Sequence, residues 1–134
     1  MRLVVGLLSV LAALAFALPA AADPPTSFEF VDVFTDVNPC TGETITVTFV
    51  GTAFVHEHGS RTVVRAERTI TTSDGFVGQG TDSSVDNGQV FVFRIDDMVA
   101  NGSGDRFRAQ GVFVLDLSTE TVRVDRFGLT CLGP

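Results

Sequence analysis

From Phe28 onward the apolar residues of this chain recur at every second position, and the runs are cut at short intervals by Gly, Asn, Asp and Ser. A period of two is the spacing of a half-buried β-strand, whose successive side chains point to opposite faces; no stretch shows the 3.6-residue period of an amphipathic helix. Phe28 to Phe34 alternates, and a turn over Asp36 to Gly42 follows. Thr44 to Val50 puts Ile45, Val47 and Phe49 on one face and Thr44, Thr46 and Thr48 on the other. Gly51 is expected to bulge or bend this run, so that it continues through Thr52 to His58 with its faces exchanged. Further strands are predicted over residues 61–71, 76–81, 90–100, 106–116 and 120–131. The sharpest hairpin signal is Asn87-Gly88, a pair that accepts positive φ at both turn positions.

About eight short strands joined by tight turns form a consecutive antiparallel sheet, which must close or fold over to avoid bare edges. An all-β single domain is therefore expected, as an antiparallel barrel of about eight strands, with a β-sandwich as the alternative. Some strands are apolar on both sides: in 106–116, Phe107, Ala109, Phe113 and Leu115 share one face while Val112 and Val114 lie on the other. A homo-oligomer formed through the outer face is compatible with that pattern.

The first 22 residues read differently. Met1-Arg2, an apolar run from Leu3 to Leu18 and small residues at Ala20 and Ala22 have the anatomy of a secretory signal peptide cleaved after Ala22. The rival, a membrane anchor, would need about 20 apolar residues. Residues 1–22 are thus assigned to the signal and 23–134 to one secreted domain, which is extracellular or held in the cell envelope. Without Arg2, eight arginines face 16 acidic residues. That balance argues against nucleic acid or an anionic membrane as partner, since both attract clustered positive charge.

The domain keeps two cysteines, Cys40 in the turn Asn38-Pro39-Cys40-Thr41-Gly42-Glu43 and Cys131 in the last strand. An isolated even pair in an exported chain is expected to form a disulfide, and no Lys, His or helix start lies beside either thiol to make it reactive.

Candidate chemistry is sparse. His56 and His58 fall on one side of a strand, yet two imidazoles make a weak metal site and the chain has no third histidine. The acidic stretch Asp82 to Gly88 lacks the pattern of a calcium loop. Asp96 and Asp97 are neighbours in a strand, so they face opposite ways. Gly75, Gly78 and Gly80 precede no helix and are read as allowing strand curvature. No Gly-x-Ser-x-Gly elbow is present, and His56, His58 and Arg94 are the titratable groups best placed to serve an enzyme. The sequence calls for no metal and no cofactor. The remaining lead is phenylalanine, with 12 Phe and neither Trp nor Tyr in the chain. Phe49, Phe91, Phe93, Phe107 and Phe113 are candidates to line a cavity for a small apolar ligand.

Three segments, the Asn38–Glu43 turn, the Asn87-Gly88 hairpin and the ending Val124 to Cys131, resemble a group of small exported bacterial proteins of actinobacterial type. The resemblance implies a signal peptide, one β-rich domain and a paired pair of cysteines, and it implies no activity. The expected function is that of a non-catalytic secreted protein that binds a small apolar ligand inside a barrel. The alternative is a structural or interaction protein of the cell envelope, and an enzyme acting on a lipid-like substrate ranks third.

Overall fold

The computed structural model describes residues 24–134. The signal-peptide assignment to residues 1–22 lies outside the described residues. Seven strands follow one another: β1 (Thr26–Val37), β2 (Thr44–His58), β3 (Arg61–Thr72), β4 (Val77–Asp86), β5 (Val90–Ala100), β6 (Arg106–Asp116) and β7 (Thr121–Gly133). They form one antiparallel sheet in sequence order, with each strand hydrogen-bonded to its neighbours in the chain. Among the described residues no helix is long and apolar enough to cross a membrane.

The all-β single-sheet meander agrees with the alternating sequence, but the strand count and the closure do not. Gly51 does not divide the second run. The β1–β2 and β2–β3 ladders pass through it without a register shift, and Ile45, Val47, Ala53 and Val55 remain on one face while Phe54 points out. A side chain at Gly51 would land on the carbonyl oxygen of Glu67 in β3. The glycine therefore serves close approach of two strands, not a bulge. Merging two expected strands into one changes the total from even to odd. In a seven-strand meander the first and last strands run the same way, so closure would need a parallel β1–β7 pair, a pairing slightly weaker per residue. The sheet is not closed: among the described residues it has ladders only between consecutive strands.

The sheet nevertheless coils around a core. Ile45, Val47, Ile70, Phe76, Val99 and Phe107 are buried together, and Phe34 of β1 and Leu129 of β7 both pack against them. Burying one such side chain is worth roughly 1.5–3 kcal/mol. Phe34 meets Phe49 edge-on at 5.0 Å, and the Phe76 and Phe107 rings lie 5.1 Å apart, within the range that adds to simple burial. Cys40, in the β1–β2 loop, is bonded to Cys131 of β7, which clips the two edge strands together at the core end. On the opposite face, Val63, Val85, Val92, Val114 and Val124 form one half-buried row across β3 to β7. This row is the outer apolar face anticipated from the sequence.

Candidate functional site

A cavity of about 230 Å³ lies inside the coil and is lined from six of the seven strands. Alternation places its walls. β2 contributes Val47 and Phe49, β3 Ile70, β5 Ile95 and Val99, and β6 Phe107 and Ala109, while Phe34 and the Phe127–Leu129 pair close it from the two edge strands. The same inward positions of β3 and β5 carry two charged residues. Arg68 lies between Ala66 and Ile70, and Asp97 between Ile95 and Val99; all six face the interior.

Register explains how these charges meet. Gly51, Arg68, Gly80 and Asp97 form one row across β2 to β5. Because Gly80 has no side chain, Arg68 reaches across β4 to Asp97, with Nη2 donating to Oδ1 at 2.7 Å and to Oδ2 at 3.0 Å. A Cβ at Gly80 would collide with Asp97 Oδ1. Arg68 Nη1 donates to Asp82 Oδ2, and the guanidinium carbon stands 4.3 Å from the centre of the Phe49 ring, a cation–π contact. Arg68 and Asp97 are both buried. Arg68 Nε is buried and has no hydrogen-bond partner among the described residues.

One guanidinium between two carboxylates leaves this interior cluster with a formal surplus of one negative charge. Burial pushes the Asp97 carboxyl above its ordinary value, against the hydrogen bond and charge of Arg68 that pull it down; the Asp82 and Asp96 charges add to the upward push. Asp97 also lines the cavity. The mostly apolar wall, which also includes the half-buried Asp36 and Thr72, thereby has one buried carboxyl, able to accept a hydrogen bond or, when protonated, to donate one.

Of the five phenylalanines singled out by sequence, Phe49 and Phe107 line this cavity. Phe91, Phe93 and Phe113 occupy the same face of β5 and β6 but lie farther toward the β4–β5 turn, where Phe93 sits opposite Phe113 and Phe91 opposite Leu115. They do not line it. Arg94 projects from the other face of β5 and is exposed. His56 and His58 are exposed at the end of β2, opposite Val63 and Arg61. Among the described residues no group of three or more His, Cys, Asp or Glu could hold a metal ion. Asp96 and Asp97 do face opposite ways: Asp96 pairs with Arg108 on the outside, at 2.8 Å and 2.9 Å, while Asp97 is held inside. Arg68 and Asp97 were missed as site residues. Their signal was parity, a charged residue standing where the alternation of β3 and β5 calls for an apolar one.

No family model matches the chain, and comparison with curated proteins and with solved structures finds none that matches it.

Proposed function

We propose that this chain is a secreted, non-catalytic protein that holds a small, largely apolar molecule in its interior cavity, with Asp97 anchoring the ligand's one polar group. The observation that carries this reading is the partly open, mostly apolar space with the buried Asp97 carboxyl in its wall. At about 230 Å³ it exceeds the roughly 150 Å³ of a dry cavity that admits benzene, and it falls short of the roughly 300 Å³ where drug-sized sites begin. Its ligand is therefore a single ring or a short chain. The disulfide fits an oxidising compartment.

Native mass spectrometry of the non-reduced protein, recovered from an oxidising compartment, tests the reading. Extra mass is expected on the wild type and should be lost from Ala109→Phe, which fills the space from β6 while circular dichroism stays that of a β-protein. A bare wild-type chain whose melting temperature is also unmoved by saturating phenol would sink the proposal.

A second reading, an interaction protein of the cell envelope, rests on the edges. Val31 and Val33 of β1 are 69 % and 59 % exposed and Phe127 of β7 is 58 % exposed, on strands whose outer hydrogen-bonding groups have no ladder partner among the described residues. Such edges invite pairing with another chain. A bare monomer in the same experiment counts against both readings.

A further inference from the structure

On the face turned away from the core, Arg65 of β3, Arg94 of β5 and Arg126 of β7 fall in one register row, separated by Ser83 of β4 and Val112 of β6. All three are exposed. They line an open groove of about 990 Å³ together with Thr81, Ser83 and Gln110. Ion pairs among the described residues engage Arg68, Arg108 and Arg123, and none of them involves the arginines of the row. With Asp82 and Asp96 of the lining taken up by Arg68 and Arg108, the three arginines face Glu67 and Asp125, a small positive excess in a chain with 16 acidic residues.

We infer that this groove binds an acidic oligosaccharide whose carboxylates are widely spaced along the chain. Neighbouring strands stand about 4.8 Å apart, so arginines on alternate strands present a positive charge about every 9–10 Å across the sheet. Guanidinium groups bind carboxylates through paired hydrogen bonds, and the hydroxyl and amide groups between them suit sugar hydroxyls. The acids of the groove refine the choice of ligand. Asp96 is engaged by Arg108 and Asp82 by Arg68, whereas Glu67 and Asp125 also line the groove without an ion pair among the described residues. Together with the negative net charge they repel a dense polyanion. Duplex DNA, with one charge per roughly 1.7 Å, is matched poorly; a glycan with one carboxylate per repeat is matched in spacing. The arginines project from the face opposite the apolar cavity and none of them lines it, so substitutions in the row test this site apart from the cavity.

The test is isothermal titration of the intact, disulfide-bonded protein with a short hyaluronan oligosaccharide, which carries one carboxylate per disaccharide, at low ionic strength, beside its methyl-esterified form and tripolyphosphate. Binding of the free acid alone is expected. Arg94→Gln should weaken it about tenfold, as the loss of one charge-assisted hydrogen-bond pair implies, and Arg65→Gln with Arg126→Gln more so. Arg61→Gln, an exposed arginine outside the row, should leave it unchanged. Equal losses from Arg61→Gln and Arg94→Gln would mean diffuse attraction and overturn the proposal. So would tighter binding of tripolyphosphate, or no binding of the free acid.

Discussion

Asn38 shows how much one polar residue in a turn can organise. It is fully buried; its Oδ1 accepts from the Cys40 amide at 2.8 Å, and its Nδ2 donates to Asp74 Oδ2 at 2.6 Å. The β1–β2 loop that carries Cys40 is thus tied to the β3–β4 turn by a contact separate from the disulfide. Asp116 plays a similar part at the other end of the sheet. It accepts from Ser118 Oγ at 2.6 Å and Ser118 N at 3.0 Å, and it pairs with Arg123. The Ser118 hydroxyl, then the Ser118 amide and Arg123, hold its carboxyl down at about 2, against the opposing effect of burial. A folded-state value below the unfolded one means that the unfolded chain takes up the proton first as pH falls. The stability Asp116 contributes is therefore full above its ordinary value of 3.8 and is lost as pH falls through about 2. Asp116→Asn should melt below the wild type near neutral pH, and the gap should narrow across that window. A gap independent of pH would show that the carboxylate charge is not what holds the turn.

At the scale of strands, pairing overrode two local signals. Gly51 reads as a break when β2 is considered alone, yet partners on both sides carry the strand through it as one run of 15 residues. The Asn87-Gly88 hairpin is where the sequence placed it, but its central residues are Gly88 and Gln89: Asp86 pairs with Phe91, and the Asn87 amide donates to the Val90 carbonyl. Gly88 has φ 81° and Gln89, the second central residue, is not among the residues of positive φ, the pattern of a II′ turn rather than the expected I′. The glycines of β4, anticipated as places for curvature, have a more definite task at Gly80, where a side chain would separate Arg68 from Asp97. Gly80→Ala is expected to cost about 3–5 kcal/mol, the range for breaking a buried ion pair. Urea unfolding measures it, and a loss under about 1 kcal/mol would mean that the row relaxes around a methyl group.

For the whole molecule, an open sheet needs something to hold its ends in place. The Cys40–Cys131 bond joins residues 91 apart in sequence, and the chain-entropy model assigns such a loop about 4–5 kcal/mol. Cys40→Ser with Cys131→Ser should lower the free energy of unfolding by up to that amount. It should also open the gap between β1 and β7, read as faster hydrogen exchange in the last turns of both strands. Unchanged exchange there would show that the core contacts of Phe34 and Leu129 suffice. Negative charge spread over the surface contributes solubility, but it does not choose between an open and a closed sheet.

By itself the sequence determined the all-β class, the positions of most turns, the break expected at Gly51 excepted, and the pairing of the two cysteines. Each of these depends on short-range rules: alternation along a strand, the backbone demands of a turn, and the presence of two thiols in a chain read as exported. Only the tertiary structure decided the parity of the strand count, the row that brings Arg68 past Gly80 to Asp97, the cavity they border and the alignment of Arg65, Arg94 and Arg126. All four follow from register, which couples residues far apart in the chain through ladders that no local window contains.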